Sequence, residues 1–153
     1  MTWYSQSDKR WAKEKLGFSN LTIGNYGCTV TSIANWLKFF GIDVTPQAVN
    51  DRLRAVNGFA NDSFGNKALV IWTKLPKAFP TIKFIWRNYN YDNLKVSWYV
   101  YVKRIPVLVE CRVKNFRHWV LFIGNRKMVD PLIGGERSTS TWPLTGYTLL
   151  EKV

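Results

Sequence analysis

The spacing of apolar residues changes midway along this chain, and that change restricts the fold more than any other feature. Ile33, Trp36, Leu37 and Phe40 recur at i, i+3, i+4 and i+7, the signature of one buried helix face. Val107, Val109, Cys111 and Val113 instead alternate, as in a strand with one buried face. The run Trp119–Ile123 is apolar at every position, which predicts a central strand covered on both sides. Helices first and antiparallel strands after predict an α+β fold, with a helical N-terminal half packed on a C-terminal antiparallel sheet. The 153 residues suit one domain spanning 1–153, without repeats, low-complexity tracts or a linker rich in Gly, Pro or Ser.

Local signals place the elements. A helix is expected from near Cys28 to about Phe40, stopped by Gly41. The next starts with Thr45 as N-cap and Pro46 in the first helical position, buries Val49, Leu53 and Val56, and ends at Asn57-Gly58. A third helix is expected over Lys67 to Lys74, terminated by Pro76. Ile82–Trp86 reads as a strand. The segment Leu94 to Ile105 fits both periods, and the good N-cap Asp92 and the length of the run favour a helix. Pro106 opens the strand that carries Cys111. Gly124-Asn125 signals a hairpin that returns through Lys127-Met128-Val129, and the last strand lies near Gly146 to Leu150.

Three residues stand out chemically. Cys28 directly precedes the first amphipathic helix, where unpaired backbone N–H groups favour an anion and therefore a thiolate. His118 is the single histidine, the one side chain suited to carry a proton near neutral pH. Asp130 closes the strand that the hairpin brings back beside His118, so a carboxylate can meet the imidazole from 12 residues away. A thiolate, a base and an orienting acid are the parts of an acyl-transfer site. Each alone has a plainer explanation: a small core thiol, an ordinary buried histidine, a turn at Asp-Pro. Their joint occurrence favours the chemical reading.

Several classes are disfavoured. Two cysteines are too few for a disulfide framework, and a Cys28–Cys111 bridge would consume the nucleophile. Cys111 shares its strand face with valines and is expected to be a core thiol. A zinc site from Cys28, Cys111 and His118 lacks a short-spaced ligand pair, so neither metal nor cofactor is expected. No apolar stretch reaches the roughly 18–20 residues that span a bilayer. The opening Met1–Gln6 carries no secretory signal, so the expected location is cytoplasmic at synthesis, with release to the cell wall or carriage in a virion. The net charge of +12 (22 Lys+Arg against 10 Asp+Glu) attracts polyanions, but no block of five or six like charges marks a nucleic-acid-binding arm.

The segments Tyr4–Trp11 (Tyr-Ser-Gln-Ser-Asp-Lys-Arg-Trp), Gly24–Ser32 (Gly-Asn-Tyr-Gly-Cys-Thr-Val-Thr-Ser), Thr45-Pro46, Pro106–Val109, His118-Trp119-Val120 and Asp130-Pro131 run in order over nearly the whole chain. Together they resemble the double-glycine, bacteriocin-processing peptidase-like branch of the papain superfamily of cysteine peptidases. Two departures are plain: Ser7 stands between Gln6 and Asp8, and the Cys-Gly-Ser-Cys-Trp turn of papain itself is absent. The resemblance implies a papain-like fold, Cys28 as nucleophile, His118 as general base and acid, Asp130 as its orienter and Gln6 as an oxyanion donor. Gln6 lies 22 residues before Cys28, so a loop must fold back to unite them. The chain has neither transporter segments nor a nucleotide-binding loop. A small basic hydrolase of this kind resembles a phage or bacterial lysin that cuts peptidoglycan stem peptides, held on the anionic wall by its charge. The alternatives are a peptidase of protein substrates, an inactive papain-fold binding module, and a nucleic-acid binder whose affinity falls steeply with salt.

Overall fold

The computed structural model describes residues 2–153. The protein is α+β, with helices α1 (Ile23–Tyr26), α2 (Cys28–Phe39), α3 (Pro46–Ala55), α4 (Leu75–Ala78) and α5 (Asn93–Ser97). The strands are β1 (Phe59–Asn61), β2 (Lys67–Val70), β3 (Ile82–Asn88), β4 (Val107–Val113), β5 (Phe116–Gly124), β6 (Lys127–Asp130), β7 (Gly135–Ser138) and β8 (Leu144–Lys152). β1 and β2 form a small hairpin; the others form one antiparallel sheet in the order β3-β8-β4-β5-β6-β7.

The expected signals place α2 and α3. Thr45 Oγ1 accepts the Ala48 N–H and Pro46 occupies the first turn of α3. α2 ends where Gly41 takes φ +78 and the Ile42 N–H reaches back to Leu37 O at 3.0 Å, satisfying a carbonyl that the helix cannot. The side chains of α2 from Val30 to Leu37 are all buried. Trp36 donates its indole N–H to Pro106 O at 3.2 Å, which ties α2 to the start of β4.

The sheet carries a core on each face. Leu108, Trp119, Leu121, Val129 and Leu150 pack with α2, α3 and α4. Val109, Cys111, Val120, Phe122 and Met128 pack on the opposite face with Val96, Tyr99 and Val100. Alternate residues of β5 thus enter different cores, which is why Trp119–Ile123 is apolar throughout. The β5–β6 turn uses Asn125 and Arg126, both at positive φ (55 and 56), as a two-residue hairpin requires.

Two expectations are corrected. Lys67–Val70 is strand β2, not helix; the turn before it is built by Asp62, whose Oδ1 accepts the N–H groups of Phe64 and Asn66. That side chain-to-backbone turn folds Lys67–Val70 back onto Phe59–Asn61 and overrides the helical reading. A 3-10 turn over Trp72–Lys74 follows, and Pro76 sits in the first turn of α4 instead of ending a helix. Leu94 to Ile105 is helical only in part. Asp92 caps α5 as expected, but Trp98–Val102 widens into a π turn with Lys103 N–H bonded to Trp98 O at 3.0 Å. The sequence reading also passes over β1 and β7; β7 (Gly-Glu-Arg-Ser) is a charged edge strand with no apolar alternation to announce it.

Candidate functional site

β5 is longer than β6, and this length difference positions the site. β6 pairs with β5 only from Leu121 onward, so the edge at His118–Val120 is left open. The N-terminal half of α2 fills it. Ser32 Oγ donates to Trp119 O at 3.0 Å, and the Trp119 backbone N–H is among the groups that lower the Cys28 thiol. Cys28 is the first residue of α2, at the positive end of the helix, with no acidic residue in that turn. Gly27 before it allows the close approach of α1: a Cβ there would lie 2.5 Å from Ile23 O and 2.7 Å from Ile23 Cγ2.

His118 sits on β5 directly opposite Cys111 of β4, and is 2% exposed. Its Nε2 lies 2.7 Å from Asp130 Oδ1, which leaves Nδ1 for the Cys28 side. Asp130 is fully buried at the end of β6. Its Oδ1 also accepts the Leu132 N–H at 3.0 Å, and Arg137 Nε donates to its Oδ2 at 2.6 Å. Trp142 stands edge-on to the imidazole, ring centroids 5.6 Å apart, and the Arg137 guanidinium lies over Trp142. The pair is therefore walled from solvent on that side. His118 and Asp130 are hydrogen-bonded across β5 and β6, and the imidazole is among the groups that act on the Cys28 thiol. Arg137 and Trp142 were missed; both lie in a charged or turn-rich stretch with no periodicity to read.

Opposing effects set the charges. Burial pushes the Cys28 thiol up, but the hydrogen bond and charge of the His118 imidazole, with the Trp119 N–H and Thr29, outweigh it and hold the thiol below its ordinary value. Burial likewise works against the imidazolium, yet Asp130 first and Cys28 second raise His118 to about 9. Burial resists ionisation of Asp130, and His118, then Arg137 and the Leu132 N–H, bring its carboxyl below the usual range. The three shifts are coupled, and each favours the charged form of its group. Cys111 is the contrast. Its thiol is buried, donates to His118 O at 3.4 Å and is pushed up to about 12 by burial and by nearby negative charge. Both thiols are free.

Gln6 reaches the region from the N-terminal segment. Its backbone N–H bonds Pro131 O at 2.8 Å, one residue after Asp130, and Asn35 of α2 holds Tyr4 through both backbone groups. The Gln6 side chain is 1% exposed; Nε2 donates to Gly24 O at 3.0 Å, and Oε1 has no partner among the described residues. The segment thus folds back onto Gly24 and the end of β6, with one Nε2 hydrogen committed to Gly24 and one uncommitted.

Cys28 opens into a groove of about 330 Å³ lined by Tyr26, Trp72, Trp119, Arg87 and Arg117 among others. Trp72 and Trp119 pack with ring centroids 5.2 Å apart. Among the described residues no cluster of three or more His, Cys, Asp or Glu side chains suits a metal ion, and no helix is long and apolar enough to cross a membrane. Comparison with protein-family models, with curated proteins and with solved structures returns no match.

Proposed function

We propose that this chain is a papain-like cysteine peptidase. The observation that carries the reading is Cys28 at a helix N-terminus beside an imidazole whose far nitrogen is 2.7 Å from a buried carboxylate. The Cys28 thiolate attacks the carbonyl carbon of an amide. The oxygen gains negative charge opposite the Cys28 backbone N–H, which as the first of α2 has no intrahelical partner, and the uncommitted Nε2 hydrogen of Gln6. His118 gives its proton to the leaving amine and an acyl-thioester remains. It then takes a proton from water, which attacks the thioester and releases the thiolate. Asp130 keeps the imidazole oriented throughout, and Arg137 keeps Asp130 ionised.

The substrate in this reading is a peptide in an anionic setting, with peptidoglycan stem peptides as the favoured class. The net charge of +12 supports it, since such a field concentrates the protein on teichoic-acid-bearing wall. Two measurements test the proposal. Iodoacetamide at pH 5 should modify Cys28 quickly and selectively, read by intact mass and peptide mapping; labelling no faster than that of a free thiol, with an ordinary pKa of about 8.5, defeats the thiolate. Purified peptidoglycan incubated with the protein should gain free amino groups. No gain, alongside cleavage of a generic peptide, removes the wall substrate and keeps the peptidase.

A further inference from the structure

The groove holds a charged constellation that the amide chemistry does not use. Arg87 belongs to β3 and Glu110 to β4, and β8 runs between those strands. The Arg87 side chain crosses β8 at Gly146, where a Cβ would lie 2.7 Å from Arg87 Nη1 and 3.2 Å from Glu110 Oε1. Beyond this notch Arg87 Nη2 stands 3.3 Å from Glu110 Oε2, with both side chains at least nine-tenths buried. The guanidinium is held over Tyr89 and Trp119, 4.1 and 4.8 Å from their ring centroids, and Nη1 bonds Asn88 O. Such a fork is fixed before any ligand arrives.

The charge around it does not balance. Arg117, 75% exposed, reaches to 4.0 Å from the same Glu110 oxygen, while Thr145 Oγ1 bonds the other at 3.3 Å. Arg112 and Arg117 are directly opposed across β4 and β5, a like-charged pair that costs stability when nothing lies between. Three guanidiniums thus share this sheet face with one carboxylate, whose oxygens are already engaged. Asp62, also on the groove, is occupied by Phe64 and Asn66 of its own turn. Arg87, Glu110 and Arg117 all line the groove into which Cys28 opens.

We propose that the arginine end of this groove is a carboxylate subsite, so that the favoured substrate is a peptide with an acidic group close to the scissile amide. This rests on the cysteine-peptidase reading above. Arg87 supplies the rigid fork, Arg117 closes over the ligand, and Glu110 holds Arg87 in place. The test is a peptide set in which Glu is moved through every position around a central amide, each member paired with its Gln counterpart. Cleavage is followed by mass spectrometry at low and high salt. At one position Glu should exceed Gln in kcat/KM by about 10- to 100-fold, the worth of a charge-assisted hydrogen bond, and the ratio should shrink as salt rises. Arg117→Ala should bring that ratio toward one. Arg87→Lys, which keeps the charge and loses the fork, should also reduce it. Equal cleavage of Glu and Gln peptides, or a preference for Lys at that position, overturns the subsite. So does failure to cut any member of the set while iodoacetamide still modifies Cys28 selectively at pH 5, an outcome that leaves the thiolate standing. If Cys28 resists iodoacetamide as well, the peptidase reading fails and the subsite goes with it.

Discussion

Cys28 and Cys111 are the same side chain with opposite prospects, and surroundings alone separate them. Cys28 gains a helix end, an imidazole and a backbone N–H; Cys111 gains apolar neighbours and a carbonyl. Cys28→Ala should abolish turnover with the fold intact. Because the sulfur is among the groups that raise His118, the same change should lower the histidine from about 9, read by NMR titration of the imidazole. An unchanged histidine would separate the two residues. Cys111→Ala should lower unfolding free energy by about 1–2 kcal/mol in urea titrations, for a lost methylene-sized volume and a weak hydrogen bond, and leave iodoacetamide labelling of Cys28 nearly unaltered. The residue types and order of Cys28, His118 and Asp130 were legible because each is rare in the chain or marked by its neighbours. Arg137 was not legible, since one arginine among 22 basic residues carries no mark until its Nε is seen 2.6 Å from Asp130.

At the scale of elements, periodicity and caps were reliable where the element is long and has one buried face. α2, α3, β4 and β5 follow from spacing, from Thr45-Pro46 and from Gly41. Short elements were not. Lys67–Val70 has too few residues to declare a period, and the turn at Asp62–Asn66 decided its state. Pro76 was read as a stop although proline fits a first helical turn equally well, because its missing N–H is unpaired there in any case. The junction of α1 and α2 gives the element-scale prediction. Gly27→Ala places a methyl against Ile23 O and Cγ2, so it should destabilise by about 1–3 kcal/mol, seen as a lower urea midpoint. It should also slow alkylation of Cys28, because Gly27 is the N-cap of α2 and a shift there displaces the helix end that favours the thiolate. Unchanged midpoint and labelling rate would show that the tight approach has no consequence.

For the whole molecule, the coupled charges fix how behaviour follows pH. His118 is raised in the fold, so its contribution to stability is full below its unfolded value of about 6.5 and is lost as pH rises through about 9. Asp130 is lowered, so its contribution is present above the ordinary carboxylate value of about 3.9 and is lost as pH falls through the lowered one. The stability difference between wild type and Asp130→Asn should therefore be largest between about pH 4 and 6.5 and narrow on both sides, measured by chemical denaturation at each pH. Peptide hydrolysis should rise as Cys28 ionises and fall through about pH 9 as His118 loses the proton for the leaving amine. A profile that keeps rising past pH 10 would remove the imidazolium from the reaction.

Sequence alone determined the α+β class, the helix that begins at Cys28, the central strand after His118 and the chemistry its three marked residues could share. These are local matters: period, cap and residue type act over a few neighbours. Tertiary structure decided that β5 outruns β6 and leaves an edge for α2, that Arg137 and Trp142 close on the His118–Asp130 pair, and that Arg87 crosses a glycine notch to Glu110. Those arrangements depend on strand lengths and on partners far apart in sequence (Ser32 and Trp119 are 87 apart), and no local preference encodes them.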